Sequence, residues 1–164
     1  MTVDIETTGL DCEKDEILEL GAVRVVDHQI TETFSALPLL QGRISAEITA
    51  LTGITSEMVA EEGIPPALAL EQFWAFVGQS PMVRHNIRFD CAFLKKASAD
   101  ADIPVPSVSL VDTLPLARGE IEDIVNYRLE TLAAYFGIEV ADTRRALADC
   151  ITTFQLYEKL NEID

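Results

Sequence analysis

Asp4 and Glu6 stand two residues apart in the run Val3-Asp4-Ile5-Glu6-Thr7-Thr8-Gly9-Leu10. On a β-strand, side chains at i and i+2 point to one face, so both carboxylates face one site. Thr7-Thr8-Gly9 then turns the chain away, and Gly9 gives the backbone either a positive φ or room for a close approach. Carboxylate oxygens are the ligands that hard Mg²⁺ or Mn²⁺ takes, and carboxylates from separate parts of a chain can complete a cage. Two such ions, about 3.5–4 Å apart, can activate a water and stabilise a leaving oxyanion, which is what breaking a phosphodiester requires. An Asp-x-Glu alone carries little in a chain with 28 acidic residues. The longer string D-I-E-T-T-G-L carries much more.

That string resembles the first motif of the DEDD 3′→5′ exonucleases, above all the DEDDh-like proofreading kind represented by the epsilon subunit of bacterial DNA polymerase III. His85-Asn86-Ile87-Arg88-Phe89-Asp90 resembles the second motif, H-N-x-x-F-D, and Arg145-Ala146-Leu147-Ala148-Asp149 resembles the third. The strings at Leu51–Thr55, Val111–Arg118 and Asn126–Ala133 are similar to further family segments, so the resemblance spans the whole chain in order. It implies an RNase H-like fold, two divalent metal ions (Mg²⁺ or Mn²⁺) and hydrolysis from a 3′ end. It also implies that Asp4, Glu6, Asp90 and Asp149 hold the metals, with Asp90 on the second ion. Thr7, Thr8, Gly9 and Leu10 would lie near the terminal nucleotide. His85 and Asn86 join the substrate-binding set, His85 more as a hydrogen-bonding scaffold than as a base. Asp149 has a blander alternative, an ion pair with Arg145 one helical turn away.

One position departs from the pattern. The His subgroup of the family has a histidine five residues before the last aspartate, and here that residue is Arg144. Histidine titrates near neutrality and can take a proton from water, whereas arginine stays protonated. Losing a general base costs about 10²–10⁴-fold in rate. Arg144 suits a phosphate better than a proton. Arg84, Arg88, Lys95 and Lys96 surround the second motif and are read as backbone-contacting or ordinary surface charges.

The elements that must position these residues follow from pattern. Ile17–Val26 and Ile30–Leu37 read as antiparallel strands joined by a turn at Asp27-His28-Gln29. Ser45–Leu51 is a short helix ended by Gly53, and Thr55 caps the next turn. Pro65-Pro66 opens a helix whose Leu68, Leu70, Phe73, Trp74 and Val77 have helical spacing, which assigns the aromatics to the core rather than to base stacking. Met82-Val83 and Val108–Val111 are short strands, and 87–99 is helical. Leu129, Leu132, Ala133 and Phe136 make one helical face with Gly137 as its C′ residue. A last helix spans about Arg145–Leu160, with Leu147, Ile151, Phe154, Tyr157 and Leu160 towards the core. Antiparallel strands followed by alternating strands and helices predict an α/β fold, a mixed sheet flanked by helices. The central strand carrying Asp4 is short at its start.

The 164 residues suffice for one domain, here an exonuclease domain over 1–164. No stretch reads as a membrane span or a signal peptide, so the cytoplasm is expected. Three cysteines without a C-x-x-C pair argue against a disulfide framework or a thiolate zinc site. The net charge of −16 opposes a broad grip on nucleic acid. It leaves three readings: a single-stranded 3′ end entering a small metal-loaded site, a partner protein such as a DNA polymerase delivering the substrate, or no contact with nucleic acid. Against the enzyme stands a catalytically impaired exonuclease-like module that binds nucleic-acid ends or a partner protein. Arg144 favours the module; four retained carboxylates oppose it.

Overall fold

Strand β1 (Thr2–Thr7) is buried along almost its whole length, as befits a strand covered on both faces. The structure, a computed structural model, describes residues 1–142 and 144–163. Strands β2 (Ile17–Val26) and β3 (Gln29–Ala36) form a hairpin whose two turn residues, Asp27 and His28, have φ of 49° and 62°. That is the geometry of a two-residue hairpin turn, and Gln29 already belongs to the strand. Helices α1 (Ala46–Thr52) and α2 (Ser56–Glu62) follow, capped by the side chains of Ser45 and Thr55, with Gly53 at φ 73° ending α1. Then come α3 (Pro66–Val77), β4 (Met82–Arg84), α4 (Ile87–Asp100), β5 (Leu110–Asp112), α5 (Thr113–Glu120), α6 (Leu129–Tyr135) and α7 (Ala146–Asn161).

The sheet order is β3-β2-β1-β4-β5. The β1–β2 and β2–β3 pairs are antiparallel; β1–β4 and β4–β5 are parallel. The expected mixed sheet is therefore present, with β1 at its centre. Val3 and Ile5 join Leu20, Ala22, Phe73, Trp74 and Phe93 in the largest apolar cluster. Asp4 and Glu6, out of phase with them, face the other way, and α7 packs on that side. The aromatics of α3 are core, as their spacing predicts, but Leu68 is exposed.

Three sequence expectations shift. The fifth strand runs over Leu110–Asp112 rather than Val108–Val111. Helix α5, which the apolar pattern does not announce, carries Pro115. That proline sits in the first turn, where the N–H it lacks has no intrahelical partner. On α7 the fully buried face is Ala146, Cys150, Thr152, Thr153, Leu156 and Leu160, so Leu147, Ile151, Phe154 and Tyr157 are only half-buried. Apolar periodicity favours large residues, whereas this helix presents small ones where it meets the sheet. A Cβ on Gly21 would lie 2.8 Å from the Ala146 carbonyl carbon and side chain, so the approach depends on Gly21. Among the described residues no helix is long and apolar enough to cross a membrane.

Candidate active site

The carboxylates arrive from three directions. Asp4 and Glu6 lie on β1, opposite Gly21 and Glu19 of β2. Helix α7 crosses above Gly21 and lowers Asp149 onto them. Ligand oxygens of Asp4, Glu6 and Asp149 lie within 4.8 Å of one another. The start of α7 is pinned by a buried ion pair: Glu19, 1% exposed, accepts from Arg145 Nη2 at 2.6 Å and Nε at 3.0 Å, and from the Ala146 N–H at 2.9 Å. Arg145 is thus taken by Glu19, and Asp149, which the i,i+4 reading paired with it, is left to the cluster.

Asp90 comes from the first turn of α4. Asn86 precedes that helix at φ 64°, a conformation asparagine tolerates better than most residues. Its N–H donates to Asp112 Oδ1 at 2.8 Å, fixing the turn that leads from β4 into α4. Asp90 Oδ1 accepts from the Ile5 N–H at 3.2 Å, which binds the second motif to the first. His85 is buried in the same turn. Its Nε2 donates to the Tyr127 carbonyl at 2.7 Å, so the neutral ring accepts from Thr113 Oγ1 on Nδ1 at 2.8 Å. Burial holds its pKa below the usual value. Both ring nitrogens thus have protein partners, in Thr113 and in Tyr127.

The main departure from the sequence reading is Arg84. Its side chain is only 14% exposed and enters the carboxylate cluster instead of the surface. Nη2 forms an ion pair with Asp4 Oδ1, and Nε donates to Asp90 Oδ1 at 3.1 Å. Burial alone would lower the Arg84 pKa, but Asp4 and Asp90 outweigh it, so the guanidinium stays charged. One guanidinium does not neutralise four carboxylates. Burial, reinforced by Asp90, Asp149 and Glu6, raises the Asp4 pKa well above the usual range despite Arg84. Burial and the neighbouring Asp149 push Glu6 up to about 7. Asp149 is raised by burial in the same way. Asp4 Oδ2 is buried without a hydrogen-bond partner among the described residues, as is Asp90 Oδ2. Acidic oxygens that converge, resist ionisation and lack donors suit a hard cation.

On one side of this cluster the surface is basic. The groove beside it is lined by Arg84, Arg118, Arg128 and Arg144, with Glu130 and Asp149 as its acids. Arg144 is exposed, forms an ion pair with Glu130, and donates its N–H to the Leu51 carbonyl at 3.2 Å. Local charge in the groove thus runs against the −16 of the chain. At the other margin, Thr7 Oγ1 donates to the Gly9 carbonyl at 2.6 Å, and Thr8 Oγ1 accepts from the Glu16 N–H at 2.9 Å. These bonds shape the turn after β1. A Cβ on Gly9 would meet the Asp15 carboxylate at 2.3 Å, so a larger residue here has to displace that side chain. Leu10 beyond it is 86% exposed. Of the flanking cations, Arg88 and Lys95 are exposed and Lys96 pairs with Asp100.

Sequence reasoning missed Glu19 and Gly21, and it read Arg84 as a cation flanking the site rather than inside it. Their roles depend on which strands are neighbours, and the motifs do not encode that order.

The profile of the RNase T-type exonuclease family matches residues 1–157. The PolC-type DNA polymerase III of Caldanaerobacter subterraneus subsp. tengcongensis is 37% identical over 164 residues, which cover 98% of this chain and 12% of that protein. The Bacillus subtilis PolC-type polymerase is 35% identical over 159 residues, 96% of this chain and 11% of its own length. The chain therefore spans about an eighth or less of these relatives. Among solved structures, exonuclease X in complex with 5′ overhanging duplex DNA superposes with a TM-score of 0.73 at 26% identity, covering 97% of this chain and 89% of that one. Escherichia coli exonuclease I with a dA16 oligonucleotide gives a TM-score of 0.87 at 19% identity, over 99% and 40% of the two chains, a likeness of fold. On its motifs, its RNase H-like sheet and the profile match, the chain belongs to the RNase T-type exonuclease family.

Proposed function

We propose that residues 1–164 form one metal-dependent 3′→5′ exonuclease domain that hydrolyses phosphodiester bonds at single-stranded or frayed DNA ends. The observation that carries this reading is the convergence of Asp4, Glu6 and Asp149 beside a groove of arginines in an otherwise acidic chain. A divalent ion held by those three carboxylates would supply Lewis-acid activation of water and offset the charge of the phosphate. Arg118, Arg128 and Arg144 would hold backbone phosphates, a task their planar donors suit. Leu10, exposed past the β1 turn, would abut the terminal nucleotide, and Thr7, Thr8 and Gly9 would shape its seat. Arg144 cannot take a proton, so turnover is expected to be about 10²–10⁴-fold below that of a site with a histidine there. The relatives are polymerases, which supports proofreading beside a DNA polymerase as the setting.

A second reading is favoured by a specific observation. Arg84 inside the carboxylate cluster, together with Arg144, suits an impaired module that grips DNA ends without cutting them. One experiment separates the two. Single-stranded and 3′-recessed oligonucleotides labelled at the 5′ end are incubated with the chain in Mg²⁺ or Mn²⁺, beside Arg144→His and Asp4→Ala. The enzyme reading predicts a slow ladder of shortened products, absent in Asp4→Ala and faster in Arg144→His. Intact oligonucleotide with every form, at high pH as well, would refute it and leave the binding module.

A further inference from the structure

The acidic cluster is divided by Arg84. On one side, Asp4 and Asp90 face the same guanidinium: Nη2 pairs with Asp4 Oδ1 and Nε donates to Asp90 Oδ1 at 3.1 Å. On the other side, ligand oxygens of Asp4, Glu6 and Asp149 converge within 4.8 Å of one another, and among the described residues the fully buried Asp4 leaves Oδ2 without a hydrogen-bond partner. A divalent ion bridging Asp4 and Asp90 would have to share space and ligands with a charged, buried arginine. Leaving is costly for Arg84, because its side chain is only 14% exposed and departure would leave the buried Asp4 and Asp90 without their shared cation.

We propose that Arg84 is a built-in cation that takes the place of the second metal ion, so that this cluster binds one divalent ion per chain, on Asp4, Glu6 and Asp149. The proposal rests on the metal-binding part of the function proposed above. Charge supports it. One guanidinium and one divalent ion leave a single negative charge on four carboxylates, whereas adding a second divalent ion beside Arg84 would reverse the sign in a buried site. The fixed cation has a consequence for chemistry. A guanidinium offers hydrogen bonds and charge to a phosphate but no open coordination position, so it can orient a leaving oxygen without acting as a Lewis acid. A phosphate also meets a site that stays slightly negative, which disfavours its approach. Arg84 thereby converts a two-ion cluster into a one-ion cluster, which slows cutting.

The test is Mn²⁺ binding, read by calorimetry for stoichiometry and by electron paramagnetic resonance for Mn–Mn coupling. The unaltered chain is expected to bind one Mn²⁺ with an uncoupled spectrum. Arg84→Ala, with the cluster opened, is expected to bind two with a coupled spectrum, and Arg84→Met, which fills the volume without the charge, to gain affinity for its ion. Circular dichroism checks that the variants fold. Two coupled ions in the unaltered chain would overturn the proposal by themselves, whatever the variants do, and leave the exonuclease reading intact. One ion in both the unaltered chain and a folded Arg84→Ala would also overturn it. No Mn²⁺ in any form would overturn the metal-binding reading on which it rests.

Discussion

Gly21 is the position where fold and site are most tightly linked, and Gly21→Ala tests that link. Gly21 is the register partner of Asp4 across the β1–β2 pair, and α7 passes directly over it. A methyl there would sit 2.8 Å from both the carbonyl carbon and the side chain of Ala146, about 0.6 Å short of ordinary contact. Backbone cannot yield as a flexible side chain would, so α7 must lift or slide by a comparable distance at its first turn. Overpacking of this kind costs about 1–3 kcal/mol. Asp149 lies one turn along from Ala146, so the shift opens its distance to Asp4 and Glu6. Disturbing the groups that aim metal ligands typically lowers affinity about 10–100-fold. A tenfold loss removes about 1.4 kcal/mol of the stabilisation that saturating metal confers. The assay is thermal unfolding with and without Mn²⁺, with Mn²⁺ affinity by calorimetry. Gly119→Ala is the control, since its Cβ would meet nothing within 4 Å in α5 and should stabilise by about 0.5 kcal/mol. If Gly21→Ala loses stability but binds Mn²⁺ as tightly as the unaltered chain, the close approach of α7 is not what sets the cluster.

Three further outcomes are expected. Arg145→Ala strands the buried Glu19 carboxylate, and because Arg145 keeps a solvent-facing side the loss should be about 2 kcal/mol in chemical denaturation; Glu19→Gln in the same background should recover part of it, and no recovery would argue against a stranded charge. Glu6 is raised from 4.5 to about 7 by burial, so between those values the folded chain keeps a proton that the unfolded chain has lost. Stability without metal should therefore fall as pH rises through that window, and Mn²⁺ affinity should rise across it; a melting temperature in chelator that climbs over that range would contradict this. Asn86→Gly keeps the positive φ at no steric cost but removes a side chain from the groove. It should melt like the unaltered chain and bind a labelled oligonucleotide more weakly in fluorescence anisotropy, whereas Asn86→Ala should also lose about 1 kcal/mol of stability.

The legible part of this molecule is the part written locally. Ser45 and Thr55 announce helix starts, Gly53 a helix end, and the alternation in Ile17–Val26 a strand, because capping and period depend on a few neighbouring residues. Asp4 and Glu6 share a face by strand geometry alone. What failed did so where distant segments meet. Helix α7 was turned towards its large residues, although the contact it makes is decided by Gly21 and Ala146, whose smallness is itself the signal. The helical spacing of Arg145 and Asp149 allows a pair between them as an alternative to metal binding, but Glu19, 126 residues from Arg145 in sequence, holds Arg145 instead, because it is buried and aligned to two of the guanidinium nitrogens and the Ala146 N–H.

Arg84 shows why motif matching and site geometry can part company. Read as sequence, it flanks an intact H-N-x-x-F-D string and looks like one more surface cation near a nucleic-acid site. The parallel pairing of β4 with β1 places its strand beside the one that carries Asp4, and the guanidinium there pairs with Asp4 and Asp90. Every carboxylate of the constellation is retained, but the charge they present is not what their number suggests. The same holds for the whole chain. A net charge of −16 argues against nucleic acid, while the groove beside Asp149 gathers four of the 12 basic side chains. Net charge governs encounter over distances comparable to the Debye length, about 8 Å at physiological salt, and local charge governs what happens inside it. Oligonucleotide binding to this groove should therefore be limited by approach rather than by retention.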